Sequence, residues 1–377
     1  MNPNKLISKV KIESIKPAEL AGRLLNGQPV TVLDVRSDTT WRIEADGLDF
    51  VAVPGRQVAA DAATLARALP HDPVVVCARG VSAFDAAEVL AEQGLAPVVL
   101  DGGMAAWQEL LIDFPIETGI DGLDLVQVQR PGRGCLSYLI ASGGQAMIVD
   151  PAPDHRFYIG LAARLGVFIT AVVDTHIHAD HVSGARDLAV ATGASLRLSG
   201  AALDRGLVFA VHVDEFSDGE RIELGDLDLR AVALPGHTTD MTGLLIEGRI
   251  LIGGDSLFAG SVARPDLEAG DRAGMRAMAK ILHETIRERI LPLGDDAVLL
   301  PGHDRAFLHR DAVAPSVGEV RAAQPELETG DADGFTERIL AGLPPRPQNY
   351  DSIIAVNSGR IGATEDLEAG GNSCAAG

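Results

Sequence analysis

The sequence predicts two α/β units in series: a domain built on a parallel sheet, then a two-sheet sandwich with helices outside. Three features predict this. Up to about residue 112, short apolar runs alternate with helical patterns in the order strand, loop, helix, strand, the spacing of a parallel sheet. From about residue 124 the apolar runs come in hairpins interspersed with helices. Between them, residues 113–123 (DFPIETGIDGL) combine Pro, two Gly and acids without periodicity, and read as a linker.

In the first unit a helix is expected at about 17–26, opened by Pro17 at its first position. Buried strands follow at 30–35 (VTVLDV), 74–76 (VVV) and 97–100 (PVVL), with an amphipathic helix at about 82–94 and a short one after Gly102-Gly103. In the second unit, LSYLIA and QAMIVD flank Ser142-Gly143-Gly144, the pattern of a hairpin. A helix at about 154–165 and a strand at 168–174 come next. Further strands are expected at about 206–213, 221–233, 243–247 and 249–253, with a long helix at about 271–290. The tail after about Ile361 is small, polar and Gly-rich, the composition of a disordered segment, and it contains Cys374.

Composition narrows the function classes. Of 377 residues, 46% are hydrophobic and 23% charged, ordinary for a globular chain. Asp plus Glu total 53 against 32 Lys plus Arg, and the net charge of -21 argues against nucleic acid and anionic membrane surfaces as partners. No apolar run reaches the roughly 18 residues that span a bilayer, and no signal-like segment follows the N-terminal lysines, so a cytoplasmic protein is expected. Three cysteines (Cys77, Cys135, Cys374) are too few for a disulfide framework. Nothing in the sequence fixes the oligomeric state, and a homo-oligomer is compatible with it.

The strongest signal is a metal constellation. Residues 175–184 read THIHADHVSG, placing His176, His178, Asp180 and His181 on a loop after a buried strand. Imidazoles and carboxylates at this density suit zinc, iron or manganese. Packed without a metal, they would cost desolvation for no return. Downstream, PGHT gives His237, GGDS gives Asp255 and PGHD gives His303, each in the order apolar strand, small residues, ligand.

This pattern resembles the metallo-β-lactamase superfold over about residues 124–310, within a unit extending to about 360. In its two-metal hydrolases, such as glyoxalase II, the resemblance would put His176, His178 and His237 on one ion. Asp180, His181 and His303 would hold the other, with Asp255 bridging two zinc ions or a mixed iron–zinc pair. The segment GGDSLFAGSVARPD and the helix plus Pro-rich stretch at 336–350 resemble more narrowly the persulfide dioxygenase branch. That likeness implies one iron(II) on His176, His237 and Asp255, a facial triad with open positions for a persulfide sulfur and dioxygen. His178, Asp180 and His181 would then orient ligands and substrate. Arg264 would pair with a carboxylate of the thiol carrier. Thr239 and Asp240 stand where that branch commonly has Pro and Gly, and Arg305 where an aromatic is frequent.

The first unit carries a thiol loop, VVVCARGVSA, between a buried strand and a helix N-terminus. Successive amides there cradle an anion and the helix dipole lowers a thiol pKa, conditions that favour a thiolate at Cys77. With Asp34-Val35-Arg36 and DGGMAAW at 101–107, residues 12–112 resemble a rhodanese domain. The likeness implies sulfur transfer through Cys77, with Ser82 closing the loop where Arg is frequent and Arg79 available within it. Cys135, before an apolar strand, reads as a small core residue.

The expected fold is thus an α/β rhodanese domain followed by an αββα metallo-β-lactamase sandwich. The expected function is iron-dependent oxidation of a low-molecular-weight thiol persulfide by dioxygen to sulfite and free thiol, coupled to sulfur transfer. The alternative is a two-metal thioester hydrolase of the glyoxalase II type with a non-catalytic first domain.

Overall fold

The computed structural model describes residues 11–209, 211–346, 349–364, 367–368 and 375–376. The chain divides into two compact units: residues up to Leu110 with Pro131–Arg133 and Ala306–Arg310, and the remainder from Leu111 onward.

The first unit is a five-stranded, all-parallel sheet in the order Glu13–Ile15, Val98–Leu100, Val74–Val76, Val30–Asp34, Leu48–Ala52. Pro17 opens the helix Pro17–Leu25, and further helices span Gly55–Ala68, Ser82–Glu92 and Gly103–Gln108. Leu33, Val75 and Val99 from the strands meet Val58, Leu65, Ala83, Ala87 and Leu90 from the helices. The strand Leu48–Ala52 has no buried apolar run, while the helix Gly55–Ala68 after it buries Val58, Ala62 and Leu65. Leu48–Ala52 (LDFVA) is an edge strand with no fully buried residue, so its sequence gives periodicity reasoning little to find.

The second unit stacks two sheets. One has seven strands in the order Val213–Phe216, Ser195–Ser199, Phe168–Val173, Gln145–Val149, Cys135–Ser142, Asp124–Arg130, Ile112–Pro115. The other has five: Arg221–Ile222, Leu229–Ala233, Thr242–Ile246, Ile250–Gly254, Val298–Pro301. Tyr138, Ile140, Met147 and Val173 of the first sheet meet Leu229, Leu244, Ile252 and Leu300 of the second in the central core. Helices His155–Leu165 and Ala185–Thr192 cover the outer face of the first sheet. Arg272–Thr285 and Ala332–Gly342 cover that of the second. The result is an αββα sandwich. The expected hairpin turns at Gly143 and Gly144, whose φ values of 58° and 80° suit glycine.

Three expectations are corrected. The supposed linker begins as a strand: Ile112–Pro115 pairs antiparallel with Asp124–Arg130 as the edge of the seven-stranded sheet, and Ile116 and Ile120 pack on the central core. Pro115 is tolerated because it ends an edge strand. The strand expected at 206–213 starts only at Val213; Gly206 (φ 82°) turns the chain, and Leu207, Phe209 and Val211 pack on the outer helical layer instead. The tail is not disordered where it is described. Ala375–Ala376 pairs with Val262–Ala263, and Glu368 forms an ion pair with Arg130. Composition does not reveal these two contacts, and Cys374 lies outside the described residues. Among the described residues no helix is long and apolar enough to cross a membrane.

Candidate metal centre

The candidate ligands of the sandwich all follow strand ends. The loop from Asp174 leaves Phe168–Val173; His237 follows Leu229–Ala233, Asp255 follows Ile250–Gly254, and His303 follows Val298–Pro301. Glycines make the turns possible. Gly236 has φ 140°, and a Cβ there would lie 2.4 Å from Leu282 Cα. A Cβ on Gly302 would lie 2.5 Å from Asp255 Oδ1.

His176, His237 and Asp255 form one ligand set, all fully buried. Nε2 of His176 and His237 lie 3.9 and 3.7 Å from Asp255 Oδ2. None of these three atoms has a hydrogen-bond partner among the described residues. Three buried polar atoms facing one point without partners would each cost free energy unless a cation satisfied them, so the residues fit a metal. The other atoms of these side chains are occupied. His176 Nδ1 meets Thr175 Oγ1 at 3.0 Å, His237 Nδ1 donates to the Arg264 carbonyl at 2.8 Å, and Asp255 Oδ1 meets His303 Nδ1 at 2.7 Å. Such bonds fix the tautomer that leaves Nε2 bare for a metal. Burial and the neighbouring His178 and His237 hold His176 neutral, its pKa well below the usual histidine value.

His178 is placed differently. Its Nε2 lies 3.2 Å from Asp150 Oδ1 and 3.8 Å from Asp174 Oδ1. Burial opposes its charge, yet the two carboxylates raise its pKa well above the usual value. Asp150, at φ 51°, also accepts from the Thr175 amide (2.7 Å) and hydroxyl (2.9 Å). One carboxylate thereby ties Thr175 and His178 together.

A second set comprises Cys135, Asp180, His181 and His303, again fully buried. Asp180 bridges His181 Nδ1 (3.0 Å) and His303 Nε2 (2.9 Å). Burial alone would raise its pKa, but the two histidines hold it well below the carboxylate range. Cys135 is therefore corrected from core filler to a member of the site. Against burial, His181 and His303 pull its thiol down to about 5, while Cys135 and Asp180 lift His181 to about 9. No local motif marks it. The signal was its place at the start of a strand whose first residue bridges to His303.

Arg264 is also corrected. Its guanidinium is fully buried, grips Asp266 in a fork (2.7 and 3.1 Å), and donates to the carbonyls of Pro344 and Pro345. It braces the segment whose carbonyl orients His237 and is not presented to a substrate. Thr239 and Asp240 have structural duties too: Thr239 donates twice to Glu268, and Asp240 accepts from the Ile177 amide and pairs with Arg205. Asp240 thus fastens the His176–His178 loop.

In the first unit Cys77 is buried behind the loop. Burial would raise its thiol pKa, but the Ser82 hydroxyl and the amides of Ala83, Arg79 and Gly80 lower it below the usual value. Arg79 enters this cradle through its backbone. Gly103 closes against the loop so tightly that a Cβ there would lie 2.3 Å from the Cys77 carbonyl.

A family model described as the metallo-beta-lactamase superfamily matches residues 130–303. Hydroxyacylglutathione hydrolase of Anaeromyxobacter dehalogenans (strain 2CP-C) is 34% identical over 232 residues, covering 61% of this chain and 82% of that protein. The mitochondrial persulfide dioxygenase ETHE1 of Homo sapiens is 29% identical over 245 residues, covering 62% and 87%. Among solved structures, ETHE1 from Myxococcus xanthus superposes with a TM-score of 0.53 at 25% identity, covering 62% of this chain and 96% of that one. A metallo-beta-lactamase from Staphylococcus aureus subsp. aureus COL gives a TM-score of 0.58 at 26% identity, covering 65% and 75%. The family model begins at residue 130, and these comparisons do not show the rhodanese likeness expected of residues 12–112. With its sandwich fold, its buried ligand sets and these relatives, the chain belongs to the metallo-beta-lactamase superfamily and has the site of a metalloenzyme.

Proposed function

We propose that the sandwich unit oxidises a low-molecular-weight thiol persulfide with dioxygen, RSSH + O2 + H2O → RSH + SO3(2−) + 2 H+, using iron(II) held by His176, His237 and Asp255. The observation that carries this reading is the convergence of His176 Nε2, His237 Nε2 and Asp255 Oδ2, all without hydrogen-bond partners, on one point, while His178, whose Nδ1 is also without a partner, turns its Nε2 to Asp150. Two imidazoles and one carboxylate are the donor set of mononuclear non-haem iron, which would supply open positions for sulfur and dioxygen together. The likeness to the ETHE1 proteins supports the same reaction.

The chain's own residues have distinct parts in it. Thr175 and the Arg264 carbonyl hold the ligand imidazoles in their bare-Nε2 tautomers. His303 occupies Asp255 Oδ1, so Oδ2 alone faces the metal position. Asp180, held ionised between His181 and His303, fixes the His303 ring at Nε2 while its Nδ1 holds Asp255 Oδ1. In the first unit, the amide cradle would stabilise Cys77 as a thiolate or persulfide passing sulfane sulfur to or from the carrier thiol. Fusion to the oxidising unit raises the effective concentration of that sulfur.

The test is oxygen uptake by iron-loaded protein given glutathione persulfide, with uptake lost in His237→Ala. A second reading, two-metal thioester hydrolysis, is favoured by the Cys135–Asp180–His181–His303 set and by the hydroxyacylglutathione hydrolase relative. Hydrolysis of a lactoylated thiol by protein holding two ions per chain, without oxygen uptake, would replace the first reading with it.

A further inference from the structure

We propose that Arg130 and the backbone N–H of Val182 form a binding site for a carboxylate of the thiol carrier, and that the chain's own Glu368 fills it until substrate displaces it. Only the identity of the carrier rests on the persulfide reading.

Arg130 ends the strand Asp124–Arg130 and is directly paired across the sheet with Cys135. Val182 follows His181. Both residues of the site are therefore covalent or ladder neighbours of the second ligand set. The Arg130 guanidinium is 1% exposed, and its Nη1 and Nη2 each donate to one oxygen of Glu368 at 3.0 Å. Val182 N donates to Glu368 Oε1 at 2.8 Å. A forked guanidinium plus a backbone amide is a geometry made for a carboxylate.

The amide is held in place independently of Glu368. Asn357 Nδ2 donates to the carbonyls of His178 (2.9 Å) and His181 (2.8 Å), while its Oδ1 accepts from Ser183 N (2.9 Å). The receptor is thus built from strand and braced loop, whereas its occupant comes from beyond the last helix, Tyr350–Asn357. Glu368 is also the more exposed partner, at 14%. In a chain of net charge -21, an anionic substrate needs a local cation to offset the field. Arg264, spent on Asp266, does not serve; Arg130 presents the same fork beside the site.

The test is calorimetric binding of S-methylglutathione, which cannot react, and of its diethyl ester, which lacks free carboxylates. Glu368→Gln should bind S-methylglutathione about tenfold more tightly than the parent, as when a competing group fills the site about nine-tenths of the time. The ester should bind both proteins alike. A chain ending at Gly362 should reproduce the gain, and Arg130→Gln should abolish it in the Glu368→Gln background. Equal binding by parent and Glu368→Gln, or an equal gain for the ester, would overturn the proposal and leave Glu368 as a structural ion pair. Absence of oxygen uptake with any persulfide, beside a gain confined to the free acid, would sink the dioxygenase reading and leave the carboxylate site standing.

Discussion

Replacing Thr175 with valine removes one hydroxyl and keeps the shape of the side chain, so it isolates a single relay. That hydroxyl donates to Asp150 Oδ2 at 2.9 Å and faces His176 Nδ1 at 3.0 Å. In valine's place the buried Nδ1–H would have no acceptor, a loss of about 1–3 kcal/mol. The imidazole can escape that loss by moving its proton to Nε2, the atom needed for the metal. Asp150 keeps the Thr175 amide and His178, so the loop itself should stay folded. Disturbing a group that orients a ligand commonly weakens metal binding about 10–100-fold, equivalent to about 1.4–2.8 kcal/mol. Anaerobic competition against a chromophoric chelator measures this for iron(II) and zinc, with circular dichroism as the control for folding. Thr175→Ser should restore most of the affinity. Parent-like affinity in a folded Thr175→Val protein would refute the idea that this hydroxyl sets the tautomer of His176.

Other perturbations separate structural from chemical roles. Arg264→Leu should lower stability by about 1–3 kcal/mol in urea unfolding, because Asp266 keeps only Arg346 and the Pro344 and Pro345 carbonyls lose their buried donor; unchanged stability with a raised KM would restore the substrate role expected from the sequence. Gly302→Ala should weaken metal binding more than tenfold while the apo fold survives, since its Cβ would collide with Asp255 Oδ1; an unaffected metal Kd would show that the turn yields. For the metal-free protein in a Cys77→Ser background, the ultraviolet thiolate absorbance of Cys135 should fall with a midpoint near 5. Unfolded, Cys titrates near about 8.5 and His near about 6.5, so the folded pair binds fewer protons than the unfolded one only between about 5 and 6.5. Above that window the raised His181, at about 9, retains the proton that Cys135 gives up, and stability is flat. Acidification from about 6.5 to 5 should therefore cost the parent about 2 kcal/mol more than a Cys135→Ser variant, which lacks the pair but keeps His176 and His178, and an equal acid loss in the two proteins would contradict the pairing.

What was legible in the sequence follows from where each signal resides. The ligands His176, His237, Asp255 and His303 stand out because each follows an apolar run and a small residue, and that local grammar is also what places them at strand ends. Cys77 carries the same kind of local signal, a thiol between strand and helix, and the structure places it there. Roles that depend on distant partners were not. Cys135 resembles any strand-opening cysteine until the sheet brings it to His303, and Arg264 resembles a substrate-binding arginine until Asp266, two residues on, turns back into its fork. The edge strand Leu48–Ala52 escaped because no face of it is fully buried.

The two arginines carry the last step. Both are almost fully buried and both hold a carboxylate in a fork, so burial and geometry alone do not tell a structural clamp from a receptor. The difference lies in the partner. Asp266 is two residues from Arg264, is gripped also by Arg346, and belongs to a segment whose carbonyl orients a metal ligand. Removing it would disturb the centre itself. Glu368 is 238 residues from Arg130 in sequence, and the loop it touches is braced without it by Asn357. A carboxylate that the site does not need for its own integrity is one that another carboxylate can replace. On that physical ground the proposed carboxylate site is placed at Arg130 and not at Arg264, whose fork is closed by Asp266.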